Sequence, residues 1–196
     1  MLPLDDPLWS ELDPKSTDRP YWRASKYPDL LRRLADAIPA GEYNRDYLVE
    51  LSTMCHQWST YDSTLAVVPH LIHICHNQPS DNIARIELLS WVGWCVACIH
   101  LNRQSGPDRL KLWYDDAVPV ARNLIAESLP FVKDSIGEQR NTCDLLGAFA
   151  ACNGNHGLAF ILYELESGGF KCDHCNQFIE PMRSSMNPFW HAEDDR

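Results

Sequence analysis

The segment from Ile83 to Leu101 limits the fold more than any other part of the chain. It carries Ile86, Leu88, Leu89, Trp91, Val92, Trp94, Val96 and Ile99, which fall on nearly every face of a helix. A helix that is apolar all round must be covered on all sides, so the segment predicts a central helix with neighbours packed about it. Its most apolar run, Leu88 to Leu101, holds 14 residues and includes Ser90 and His100. A membrane-spanning helix needs about 18 to 20 apolar residues, so this run reads as core and no membrane is expected.

The rest of the chain is patterned to supply such neighbours. After an irregular, proline-rich lead-in with Trp9, Leu12, Tyr21 and Trp22 as anchors, Leu30, Leu31, Leu34, Ala35 and Ile38 recur at helical spacing. Pro28 suits the first turn of that helix, and Pro39 and Gly41 end it. A second helix is predicted from about Tyr43 to Gln57, and a third from about Ser63 to His76 that Pro69 should kink or restart. Beyond the central helix, a stretch from Asp108 to about Lys133 is interrupted by Pro119. Glu138–Cys152 and His156–Glu166 follow, separated by Asn153-Gly154-Asn155. Period-two alternation is not sustained before residue 169, so the fold class is all-α. With 196 residues, 45% hydrophobic, the chain is long enough for one domain with a sizeable core.

Three segments share a proline followed by apolar residues at helical spacing: Tyr27-Pro28-Asp29-Leu30-Leu31, Val68-Pro69-His70-Leu71-Ile72 and Val118-Pro119-Val120-Ala121. The prolines lie 41 and 50 positions apart, room for one helix pair per unit. Such a period suggests a short HEAT/armadillo-like α-solenoid of stacked helix pairs, in which each unit buries its apolar face against the next. The organisation expected is therefore a lead-in over 1–26, a helical repeat domain over 27–168, and a Cys-x-x-Cys β-hairpin with a tail over 169–196.

Several motifs carry a resemblance. Trp9-Ser10-Glu11-Leu12, Asp29-Leu30-Leu31 with Leu34, the stretch from Cys55-His56-Gln57 through Tyr61-Asp62-Ser63-Thr64 to Val68-Pro69-His70-Leu71, and Gly169-Phe170-Lys171-Cys172-Asp173-His174-Cys175 together resemble a group of bacterial HEAT-like repeat proteins of unassigned function. The chain departs from that group at Trp58, where a small residue is usual, and in its poorly formed first repeat. The resemblance implies an α-solenoid with a binding or scaffolding habit, and no known reaction.

The formal charge is −10, from 17 Lys and Arg against 27 Asp and Glu, and every quarter of the chain is acidic. Phosphate backbones are bound by Lys and Arg, so no nucleic acid is expected. The opening MLPLDDPLWSELD has neither a basic nor an apolar leader region, which suggests a cytoplasmic protein with reduced thiols. Complementary charge would favour a basic protein partner.

The sharpest chemical motif is Cys172-Asp173-His174-Cys175. Two thiolates two residues apart in a turn supply half of a tetrahedral zinc site. Cys152 with His156, or His174 and His191, could complete it, giving a structural zinc; a reduced thiol pair in a turn is the plain alternative. Cys95-Val96-Ala97-Cys98 lies in the apolar helix and reads as core packing. Cys55 and Cys75 read the same way. His70, His73 and His76 are spaced by three, drift around the helix and read as a polar ridge. The connection after Cys55 offers His56, Gln57, Trp58, Tyr61 and Asp62 as a partner-binding patch, since aromatics beside polar groups make hot spots. The same residues would serve as a capping loop with Asp62 or Ser63 as the N-cap. No catalytic constellation appears. The leading expectation is a non-enzymatic protein-interaction or scaffold module; the alternative is a zinc-dependent enzyme with an open metal position at Cys172 and Cys175.

Overall fold

The computed structural model describes residues 1–12, 23–56, 59–102, 107–132, 139–167, 170–171 and 178–179. Within them the protein is helical, with packed helices. Asn82 starts the central helix α5, Ile83–Asn102: its side-chain oxygen accepts the N–H groups of Ala84 at 2.8 Å and Arg85 at 3.3 Å, satisfying donors that a helix start leaves open. Leu88, Leu89, Val92, Cys95, Ala97 and Cys98 of α5 are fully buried. The stretch Ile83–Leu101 spans 19 residues at a mean hydropathy of 1.3, and 67% of it is buried inside the protein. The apolar stretch is thus longer than the 14-residue run suggested, and the cover supplied by neighbouring helices marks it as a core helix.

Those neighbours come from both sides in sequence. Helix α4, Asp62–His76, and helix α6, Asp108–Ser128, pack on α5 and on each other, while helices α7, Gln139–Cys152, and α8, His156–Ser167, cover its other side. Helix α2, Tyr27–Ala40, lies against α4. It buries Leu30, Leu31, Leu34 and Ile38 as the spacing predicts, but leaves Ala35 exposed. Gly41 closes α2 in the left-handed conformation at φ 73°, and Glu42 N–H donates back to Ala37 O at 2.9 Å, the usual helix-ending role of glycine.

Prolines do not divide the helices as expected. Pro39, Pro69 and Pro119 all lie inside unbroken helices. Each forfeits one backbone hydrogen bond, and in α4 burial of nearly every flanking residue holds the helix through the defect. The second helix is shorter than predicted. Helix α3 covers only Asp46–Ser52, and Cys55–His56 (β1) then pairs antiparallel with Ser59–Thr60 (β2). The Leu129–Phe131 turn ends α6 as a 3₁₀ segment. Near the end, Phe170–Lys171 (β3) pairs antiparallel with Phe178–Ile179 (β4).

The N-terminal lead-in is tied to the core rather than loose. Helix α1, Leu8–Glu11, places Trp9 in the core, and Leu2 and Leu12 are buried as well. Trp9 Nε1 donates to Pro3 O at 2.9 Å, and Leu8 N–H donates to Asp6 Oδ1 at 2.8 Å. The expected anchors Tyr21 and Trp22 lie outside the described residues.

The tightest crossing is that of α5 with α7. A methyl group at Gly93 would collide with Cα and Cβ of Ala148, and one at Gly147 would meet the Tyr163 ring at 3.1 Å. Gly93 thus lets α5 approach the backbone of α7, and Gly147 makes room on α7 for Tyr163 of α8. Gly93→Ala gains up to about 1 kcal/mol of helix propensity but forces this crossing apart. The variant is expected to be about 1–3 kcal/mol less stable than wild type in urea denaturation; equal stability would show that the crossing has room.

Candidate functional site

The predicted recognition stretch forms a hairpin and the start of α4. Cys55 pairs with Thr60 and His56 with Ser59, while Gln57 and Trp58 lie outside the described residues. Tyr61 is the N-cap in an extended conformation, half-buried, and Asp62 opens the helix. The expectation that Asp62 or Ser63 caps α4 is corrected. Thr64, fully buried, does the work from within the first turn: its hydroxyl donates to Met54 O at 2.7 Å and accepts the Tyr61 N–H at 3.2 Å. One hydroxyl therefore fixes the base of the hairpin to the start of α4. This is why the polar connection is short and shaped, and why Tyr61 and Asp62 stand where the hairpin meets the helix.

A cleft of about 390 Å³ lies between the N-terminal segment, α2 and α4, lined by Leu4, Arg32, Asp36, His70 and His73 among others. His70 is not part of an exposed ridge. It is buried, its Nε2 lies 2.8 Å from Leu2 O, and its ring sits 6.1 Å from that of Trp9. The carbonyl accepts, so the contact requires the Nε2–H tautomer. Arg32 Nη2 donates to Leu4 O at 3.1 Å from the other wall. Burial is the largest influence on His70 and lowers its pKa; the Leu2 carbonyl pulls the other way, and the N-terminal ammonium and His73 add to the lowering. His73 and His76 are exposed.

A second buried polar group links α5 to α6. Arg85 is buried, with Nη2 on Glu127 Oε2 at 2.7 Å and Leu124 O at 3.0 Å, and Nη1 on Gln78 O at 2.8 Å. Glu127 is 60% exposed, so the two backbone carbonyls rather than the ion pair anchor this guanidinium. The sequence does not point to Arg85 and presents His70 only as one of a polar ridge, because their partners are backbone carbonyls 39 and 68 positions away.

The proposed zinc ligands do not come together in the described residues. Cys172, Cys175, His174 and His191 lie outside them. Cys152 ends α7, Gly154 turns the chain at φ 77°, and His156 begins α8, so the two do not share one helix face. Burial pushes the Cys152 thiol up to about 12, against a lowering by Arg122. His156 instead stacks on His100, ring centroids 3.6 Å apart. Among the described residues no group of three or more His, Cys, Asp or Glu is arranged to hold a metal ion. The described cysteines Cys55, Cys75, Cys95, Cys98, Cys143 and Cys152 carry thiols, and all but Cys143 are buried. No family model, curated protein or solved structure matches the chain.

Protonation of His70 is coupled to folding. Below the ordinary histidine value of 6.5 the unfolded chain takes up a proton that the buried ring resists. The stability contributed by the neutral ring is therefore complete above about pH 6.5 and declines as the pH falls toward the lower folded value. His156 shifts in the same direction, through burial first and His100 second. His70→Gln should flatten, without abolishing, the fall in urea midpoint between about pH 6.5 and 5; a slope identical to wild type would contradict the coupling.

Proposed function

We propose that this chain is a non-enzymatic, cytoplasmic protein-interaction module, built as a short HEAT-like stack of helix pairs and directed at a basic protein surface. The observation that carries the reading is the serial packing of alternate helices. Among the proline-bearing helices α4 packs against both α2 and α6, and α5 packs against α7. Helices that pack on the next-but-one element build two parallel rows, and such stacks present extended surfaces for partners.

Charge supports the choice of partner. Asp36, Asp81, Asp115 and Asp116 are exposed in a chain of net charge −10, and an acidic surface steers basic partners. The contact patch we assign is His56, Gln57, Trp58, Tyr61 and Asp62, because the sequence sets aromatic beside polar residues there and the described members Tyr61 and Asp62 lie at a junction tied by Thr64. The pKa of Tyr61 is raised, by burial first and by Cys55 second, as befits a ring that is half inside.

The reading is tested by capturing partners on the immobilised chain at about 50 mM and about 500 mM salt, which spans weak to strong screening. A basic protein should be held at low salt and released at high salt, and Tyr61→Ala should weaken its retention about tenfold or more. No partner, a salt-indifferent partner, or one indifferent to Tyr61 would count against the reading.

A further inference from the structure

The cleft between the N-terminal segment, α2 and α4 is separate from the contact patch assigned above. Its volume of about 390 Å³ lies at the small end of the range of about 300 to 1,000 Å³ that small-molecule sites occupy. Three successive carbonyls fix its N-terminal wall. His70 Nε2–H donates to Leu2 O at 2.8 Å, Trp9 Nε1–H to Pro3 O at 2.9 Å, and Arg32 Nη2–H to Leu4 O at 3.1 Å. A wall held in this way is formed before a ligand arrives, which lowers the ordering cost of binding. Leu4, Leu31 and Ile74 supply the apolar lining. Two opposite charges complete it. Arg32 and Asp36 both line the cleft, both are exposed, and they stand one turn apart on α2, which sets their Cβ atoms about 5–6 Å apart. They do not pair with each other. Arg33, the next residue, is taken up by Asp29 at 3.1 Å and Glu50 at 2.8 Å. Among the described residues Arg32 has no carboxylate partner, and Asp36 has neither an ion pair nor a side-chain hydrogen bond. The Leu4 carbonyl holds the Arg32 guanidinium at the N-terminal wall, and Arg before Asp is the weaker order for a pair at this spacing.

We propose that this cleft binds a free α-amino acid with a branched aliphatic side chain, its carboxylate on Arg32, its ammonium on Asp36 and its side chain against Leu4, Leu31 and Ile74. A simple anion drawn to Arg32 would be repelled by Asp36 one turn away, and a simple cation drawn to Asp36 would be repelled by Arg32. A zwitterion satisfies both charges at once. In an α-amino acid the two charged groups hang from one carbon, close enough to bridge side chains one helical turn apart. The guanidinium uses one N–H on Leu4 O and keeps the rest of its fork of donors, enough for a two-pronged contact with a carboxylate. Aliphatic lining and small volume favour leucine, isoleucine or valine over the larger aromatic amino acids. Both charged groups stand in water, so the complex should be weak, with a Kd of about 0.1–1 mM. The site stands whether or not the chain also engages a protein partner.

The test titrates the full, isotope-labelled chain with L-leucine at neutral pH and follows its amide resonances. Saturable shifts should centre on the residues that line the cleft, 31–36 and 70–74. Isoamylamine, which is leucine without its carboxylate, and isocaproate, which is leucine without its ammonium, should each bind about tenfold more weakly or worse, and so should glycine. Arg32→Gln and Asp36→Asn lie at exposed positions, where substitution rarely disturbs a fold, and each should weaken leucine about tenfold or more. The spectrum of each variant shows directly whether it is folded; if one is not, the comparison of leucine with its two analogues on wild type decides alone. No saturable shift up to about 10 mM leucine, shifts confined to another part of the chain, an analogue that binds as tightly as leucine, or a folded variant that binds leucine like wild type would overturn the proposal.

Discussion

A helix with no polar face cannot rest on a surface, and the elements packed around α5 answer to that constraint. Helix α5 needs cover on all sides, and α4, α6, α7 and α8 together with the β1–β2 hairpin provide it. The side chains that make this cover close are small. Gly93 meets Ala148 with no room for a methyl group, and Gly147 makes way for the Tyr163 ring. Cys95, Ala97 and Cys98 fill the remaining face without bulk. Close approach multiplies weak dispersion contacts over many atom pairs, which is how a helix of small and aromatic residues holds as firmly as one of leucines.

Polar groups inside this core are few, and three of them bridge elements distant in sequence. Thr64 joins the hairpin to α4, Arg85 joins α5 to α6 and to the turn before it, and His70 joins α4 to the first residues of the chain. A backbone carbonyl is a partner in every case. Such contacts contribute modestly when made and cost more when broken, because a buried donor is left without an acceptor. They therefore fix register: an alternative packing that slides one helix past another loses several of them at once. Ion pairs play a lesser part, since Arg33, Asp29, Glu50 and Arg45 are all well exposed.

Much of the helical content was legible from apolar spacing. Helix α2 and its capping Gly41 follow from the pattern, and the enclosure of α5 follows from the lack of a polar face. What spacing could not supply were interruptions set by tertiary contact. Pro69 and Pro119 look like breaks in isolation, yet packing carries α4 and α6 through them. The stretch after Ser52 looks helical, yet Thr64 draws Met54 and Tyr61 together and turns it into a hairpin. At the candidate site Tyr61 and Asp62 stand at the corner between a hairpin and a helix, where the sequence suggested only a connection between two helices. Arg85 goes unremarked in the sequence and His70 reads there as one of a polar ridge, because an acceptor on a distant backbone leaves no trace in local sequence. Cys95 and Cys98 are recognisable in the sequence as buried packing residues.

Native-state hydrogen exchange tests the central place of α5 most directly. If α5 is enclosed on every side, its amides from Leu88 to Cys98 should exchange only through global unfolding, with the same dependence on denaturant as the whole-chain transition and together with the facing residues of α7. Exchange of that segment through a small local opening, at rates like those of α1 or the β1–β2 hairpin, would contradict the account.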